Sequence, residues 1–273
     1  MAYLVTGATG FIGRRLVEQL LENRQGKIYV LVRESSTGRL HDLIERWKAV
    51  AGASAAKRVQ PLIGDLRRPL LGVEPERVEE LRGTIEHFFH LAAIYDMTAP
   101  AEQNTTVNVG GTTHAVELAR ALDAGHLHHV SSIAVAGTYR GTFTEDMFDE
   151  GQRLPSPYHR TKFESERIVR EQPYVPWRVY RPGIVVGDSR TGEMDKIDGP
   201  YYFFKAIQRM RQLLPEWAPL VGLDLGNTNV VPVDWVAGAL EHIAHEPDLD
   251  GRAFHLTDPR PQRVDDVINQ LAT

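Results

Sequence analysis

Short apolar, β-branched runs alternate along the chain with longer stretches whose apolar residues recur every three or four positions. The runs are Tyr3–Thr6, Ile28–Val32, Val59–Ile63, His87–Leu91, His129–Ser132 and Trp177–Tyr180. Between them the spacing predicts helices from about Gly10, over Leu40–Val50, Glu76–Leu81 and Asn108–Leu122, and around Tyr158; Ala49–Ala56 reads as a helix end and loop. Strands alternating with helices form a parallel sheet covered on both faces, because each parallel connection needs a crossover. The expected fold is α/β, a Rossmann-type doubly wound parallel sheet.

From about Gly187 the alternation loosens. Gly192, Gly199 and Pro200 punctuate an aromatic, amphipathic stretch that runs from Tyr201-Tyr202-Phe203-Phe204 to Leu214. Two β-like pieces, Asn229–Pro232 and Ala253–Leu256, then flank a helix beginning near Asp234. The pattern divides the chain into residues 1–190, a Rossmann domain with the candidate catalytic groups, and 191–273, a smaller substrate-side part packed on the same domain.

Composition narrows the picture mainly by exclusion. With 273 residues, 42% hydrophobic and 25% charged, the chain can bury a sizeable core, and disordered and fibrous classes fall away. The net charge of -5 is interspersed, so there is no basic footprint for nucleic acid. The absence of cysteine excludes disulfides, thiolate zinc sites and a cysteine acyl-enzyme; if a thioester is reduced here, hydride attacks it directly. The first strand follows Met1 directly, leaving no room for a leader, and no apolar run reaches the ~18 residues of a membrane helix. These features lead to the expectation of a cytoplasmic chain with no integral membrane segment.

Candidate chemistry begins at Thr6-Gly7-Ala8-Thr9-Gly10-Phe11-Ile12-Gly13, directly after an apolar strand and opening an apolar helix. Gly7, Gly10 and Gly13 at this spacing permit a tight turn and close backbone approach to a pyrophosphate, which the helix N-terminus favours electrostatically. A plain αβ turn would use glycines too, but the context favours the nucleotide. At the end of the second strand an acidic residue binds an NAD ribose, whereas an arginine accommodates a 2′-phosphate. Here Arg33 occupies that point and Arg14 follows the glycine turn, which favours NADP(H); Glu34 in the acidic role is the competing assignment. Asp65, after the third strand, fits an adenine amino group or a turn, and Leu66 could line the adenine pocket.

Tyr158 and Lys162 lie four residues apart and so share one helix face. A phenol is a poor acid at neutral pH unless a nearby cation stabilises its phenolate, and Lys162 is placed to do so. Ser132 ends a strand at the carboxyl edge of the sheet, where its hydroxyl can hold a carbonyl oxygen while Tyr158 protonates it; Ser131 reads as a satisfied strand-end serine. His126, His128 and His129 have no carboxylate at ligand spacing and read as core or surface histidines, so no metal is expected. Asp195, Lys196 and Asp198 read as a solvated loop, and Tyr201–Phe204 as core or as an acyl-chain pocket.

Thr6-Gly7-x2-Gly10-x2-Gly13, Gly64-Asp65-Leu66, His90-Leu91-Ala92-Ala93, Asn108-Val109-x-Gly111-Thr112, Ser132, Tyr158-x3-Lys162 and Arg181-Pro182-Gly183 run in order over nearly the whole length. With these motifs the chain resembles the extended short-chain dehydrogenase/reductase superfamily. The resemblance implies Ser132 as oxyanion partner, Tyr158 as acid/base, Lys162 on the nicotinamide ribose, and Asn108 in support. It also implies cofactor contacts along Ala92, Ala93, Pro182, Gly183 and Ile184, with Gly183-Ile184 by the carboxamide.

The Leu31-Val32-Arg33 strand end, the His90–Met97 segment and Gly192–Phe204 look like the N-terminal reductase domain of bacterial two-domain fatty acyl-CoA reductases, with thioester reductase domains similar but more distant. That likeness implies NADPH and a lipid substrate, a long-chain aldehyde or acyl thioester. Chains of that kind continue into a second reductase domain, whereas this one stops at Thr273, as a piece of a longer protein or a stand-alone relative would. Two other readings stay open: an NAD-dependent sugar-nucleotide epimerase or dehydratase with the same triad, and a non-catalytic NADP(H)-sensing module.

Overall fold

The computed structural model describes residues 2–93, 105–194 and 226–271. In chain order the strands are β1 (Ala2–Thr6), β2 (Lys27–Val32), β3 (Val59–Ile63), β4 (Ile85–His90), β5 (His126–Val130), β6 (Trp177–Pro182), β7 (Ile184–Val186), β8 (Asn227–Thr228), β9 (Val230–Pro232), β10 (Arg252–Leu256) and β11 (Gln262–Arg263). The helices are α1 (Phe11–Asn23), α2 (Thr37–Ala51), α3 (Ala53–Ala56), α4 (Pro75–Leu81), α5 (Gly111–Ala121), α6 (Pro157–Glu171), α7 (Val233–His245) and α8 (Val264–Leu271).

Seven strands form one parallel sheet in the order β10-β6-β5-β4-β1-β2-β3. The order reverses at β1, which pairs with β2 on one side and β4 on the other. A crevice therefore opens outside the carboxyl ends of β1 and β4, the place where open parallel sheets bind ligands.

Alternation along each strand builds two cores. On one face Leu4, Phe88, Leu127 and Val179 pack under Ala115, Leu118 and Leu122 of the α5 region and Val169 of α6. On the other, Tyr3, Val5, Val30, Phe89 and Tyr180 pack under Leu16, Val17 and Leu20 of α1, Trp47 of α2, and Val236 and Leu240 of α7. Both faces being covered, the strands show little period-two signal.

Most expected elements appear within a residue or two, and the differences are informative. β5 runs over 126–130 and not 129–132, because His126 and His128 sit in the strand. Buried His128 is satisfied from both neighbouring strands, by His87 Nδ1 at 3.0 Å and Tyr180 Oη at 2.9 Å, so a polar residue type stands at a core position. Ser131 and Ser132 consequently lie just beyond the strand. Where 49–56 read as a helix end and loop, α2 continues to Ala51 and the single-turn α3 follows.

The pieces expected around 229–232, 234 and 253–256 are β9, α7 and β10, and β10 pairs with β6 in the central sheet. Residues beyond 190 thus contribute to the main layer itself. Among the described residues no helix is long and apolar enough to cross a membrane. Tyr201–Phe204 and Asp195, Lys196 and Asp198 lie outside the described residues.

Candidate active site

The glycine turn after β1 is close-packed backbone. Gly7 adopts φ +73°, and a Cβ there would stand 2.8 Å from the Ala92 nitrogen; at Gly13 it would stand 2.2 Å from the Gly7 oxygen. Gly10 N–H donates to Gly7 O at 2.9 Å, closing the turn. Gly10 then caps α1 with no side-chain hydrogen bond, and no acidic residue stands in the first turn. The leading N–H groups of Phe11 and Ile12 thereby keep their capacity for an anion.

Arg14 is buried and lies over the Phe11 ring at 5.4 Å; burial, with Arg15 and Arg46 nearby, pulls its pKa below the usual guanidinium value. This close-packed glycine turn, with Thr9 at its middle, fits a dinucleotide pyrophosphate.

At the end of β2, exposed Arg33 leads into the turn Glu34–Ser36, with Glu34 exposed beside it. Asp65 is gripped by Arg67, whose Nη2 donates to Oδ2 at 2.6 Å and whose backbone N–H donates to Oδ1 at 3.0 Å. These bonds, led by the Arg67 side chain, hold the Asp65 carboxyl down at about 2. Its turn role is therefore present in the structure. The Leu66 oxygen accepts from His114 Nδ1 at 2.9 Å, seating the start of α5 against this loop.

Helix α6 begins with Ser156, whose Oγ accepts from His159 N–H at 3.4 Å, and with Pro157 in the first turn. Tyr158 and Lys162 follow on one face. Lys162 Nζ is buried and donates to Val130 O at 3.1 Å, two residues before Ser132. Burial draws Lys162 down to about 8, against the opposing pull of Glu166. Ser132 caps the turn Ile133–Ala136 by accepting Ala134 N–H at 3.2 Å, which leaves its own hydroxyl proton to donate outward. Helix α6 packs against that turn, and Lys162 reaches the backbone two residues before Ser132.

Asn108 lies in a π-helical turn, Thr105–Gly110, that leads into α5. Such turns widen the helix and often carry functional residues. The Asn108 backbone carbonyl accepts Thr112 Oγ1 at 2.7 Å and Ser165 Oγ of α6 at 2.8 Å, while its side-chain Nδ2 donates to Thr161 Oγ1 at 3.4 Å.

A chain of bonds reaches the same oxygen from β1. Ala92 N–H donates to Thr6 Oγ1 at 3.2 Å; Thr6 Oγ1 meets His90 Nδ1 at 2.9 Å; His90 Nε2 meets Thr112 Oγ1 at 3.3 Å. Burial holds His90 down at about 3, so it is neutral. Because Thr112 gives its proton to Asn108, His90 must carry its own on Nε2 and accept from Thr6 at Nδ1. This connection joins the nucleotide turn to Asn108. In the sequence these residues stand out as motif members, but the bonds that link them do not.

Pro182 ends β6, and Gly183 N–H donates to Leu256 O at 3.0 Å. A Cβ at Gly183 would stand 2.7 Å from Asn229 O, which accepts Ile184 N–H at 2.8 Å as β7 pairs with β9. His128 and His129 are buried in β5, as core histidines are.

Turn, crevice, Ser132, Tyr158 and Lys162 thus lie at the carboxyl edge of one sheet. Residues 5–240 match the family described as male sterility protein, an NAD(P)-binding group of the extended short-chain dehydrogenase/reductases. The chain belongs to that family. It is similar to a linear gramicidin synthase of Brevibacillus parabrevis, 31% identical over 98% of this chain and 5% of that one. It is also similar to an aldehyde reductase of Aspergillus flavus, 31% identical over 93% of this chain and 25% of that one. Among solved structures, the terminal R domain from the myxalamid PKS-NRPS biosynthetic pathway superposes with a TM-score of 0.85 at 30% identity, covering 98% of this chain and 68% of that one. The chain spans about a quarter or less of the length of these two curated relatives.

Proposed function

We propose that this family member reduces the carbonyl of an aldehyde or acyl thioester with NADPH, a fatty substrate being the form the sequence favours. The single observation that carries the reading is buried Lys162, one helical turn after Tyr158, with its Nζ on the Val130 oxygen two residues before Ser132, whose Oγ accepts Ala134 N–H and so keeps its own proton to donate. When bound, the nicotinamide supplies hydride. Ser132 holds the carbonyl oxygen as negative charge grows on it, and Tyr158 gives that oxygen its proton. Lys162 stabilises the phenolate left behind, and Asn108, fixed by Thr112 and Ser165, supports the helix pair that carries it.

The glycine turn would hold the pyrophosphate, Arg14 and Arg33 a 2′-phosphate, Asp65 and Leu66 the adenine end, and Ala92, Ala93 and Pro182–Ile184 the nicotinamide end. Residues 191–273 would supply the substrate side. The aldehyde reductase among the relatives, and the peptide synthetase and R domain that this chain resembles, support carbonyl reduction over sensing. By the same likeness, the chain would work beside other domains in a longer protein.

The test is NADPH oxidation with long-chain aldehyde compared with long-chain acyl-CoA, repeated with NADH. Oxidation by at least one substrate, with NADPH preferred, is expected. Tight NADPH binding without oxidation by either would overturn the reading.

A further inference from the structure

Tyr158, Lys162 and Glu166 are spaced at four residues, so the face that carries the acid/base pair ends on a carboxylate one turn below the lysine. Glu166 is fully buried. Its Oε2 accepts Ser131 Oγ–H at 2.7 Å, and its Oε1 accepts Arg181 Nη2 at 2.7 Å and Arg170 Nε at 2.8 Å. Arg181, also fully buried, donates from Nη2 to Met147 O at 2.8 Å and from Nη1 to His255 Nε2 at 3.1 Å.

Two partners of this one carboxylate are adjacent to functional segments: Ser131 precedes Ser132, and Arg181 precedes Pro182–Gly183. Arg181 in turn bonds Met147 O, on the connection that leads to α6. A buried ion pair is a weak source of stability, since packed apolar side chains of similar volume often serve as well. Placement beside Lys162 gives the carboxylate a consequence that apolar packing could not supply.

We propose that Glu166 is a positioning residue for the Tyr158–Lys162 pair: it ties the segments bearing Ser132, Lys162 and Pro182–Gly183 to one point and provides the negative charge that faces Lys162. The inference rests on the proposed carbonyl reduction. The groups around this point are Glu166 and Arg170 from α6, Arg181 from β6, His129 from β5, His90 from β4 and His255 from β10. Burial holds His90 down at about 3, His129 well below the usual imidazole value and His255 below it, and Glu166 opposes the effect of burial on Lys162.

The test compares the unmodified chain with Glu166→Gln and with the double variant Glu166→Met/Arg181→Met, which removes both charges and preserves volume. Two quantities are read: the pH profile of kcat/KM for NADPH-dependent reduction, and the ionisation of Tyr158 in the apoprotein, measured as tyrosinate absorbance against Tyr158→Phe. Without Glu166, Lys162 loses its proton at lower pH. The alkaline limb of the profile moves down by about one pH unit and Tyr158 ionises at higher pH. A role confined to stability would lower the melting temperature of Glu166→Gln and leave both titrations in place. Titrations coincident with those of the unmodified chain, in either folded variant, overturn the proposal. Absence of turnover in the unmodified chain refutes the carbonyl reduction instead, and the absorbance titration still decides the role of Glu166.

Discussion

Gly13 and Arg33 show what single residues decide here. A methyl group at Gly13 would lie 2.2 Å from the Gly7 carbonyl, so Gly13→Ala must open the turn. Overpacking of this kind costs about 1–3 kcal/mol. The expected outcome is a melting temperature several degrees lower, with weaker NADPH binding by fluorescence titration. Arg33 is exposed at the strand end and would meet the 2′-phosphate as a charge-assisted partner worth about 1.5–3 kcal/mol. Arg33→Glu should therefore shift the ratio of kcat/KM for NADPH over NADH by roughly ten- to a hundredfold toward NADH. The glycines are legible in sequence because only the smallest residue fits such a turn. The Arg67 grip on Asp65 is not, because Asp65 reads equally as a ligand and as a turn residue until its neighbour is placed.

At the scale of elements, the π-turn before α5 joins two parts of the site. It presents the Asn108 oxygen to Thr112 of α5 and Ser165 of α6, and through His90 to Thr6 at the nucleotide turn. Thr112→Val should strand the His90 Nε2 proton and loosen Asn108, lowering stability by about 1–3 kcal/mol and reducing kcat more than it changes KM. Thr113→Val is the control, because among the described residues that hydroxyl bonds the Val109 oxygen of its own turn, at 3.2 Å, and should cost less in both measurements. Hydrophobic periodicity predicts a helix across 108–122 and marks the strands, since both are set by local pattern. It is blind to a π-turn, and it places the fifth strand three residues late because histidines there look polar until their cross-strand partners are known.

Across the whole molecule, four neutral histidines lie in the central strands. Burial holds His87 and His90 down at about 3, and His128 and His129 well below the usual imidazole value. Each binds a proton in the unfolded chain near pH 6.5 but in the folded chain only at much lower pH. The unfolded state thus binds more protons between those limits, and the stability these residues contribute is present above about pH 6.5 and lost as pH falls through the window toward 3. Thermal melting followed from pH 7 to pH 4 should show a steep decline, and His87→Phe, which removes one such proton, should make it shallower.

The central claim is that Tyr158 is the proton donor of a nicotinamide-dependent carbonyl reduction. Tyr158→Phe tests it most directly: turnover measured by NADPH oxidation, beside NADPH affinity measured by fluorescence titration. The account predicts a loss of turnover of about 10²- to 10⁴-fold with affinity nearly unchanged. Turnover retained within a few-fold in a variant that binds NADPH normally would contradict it.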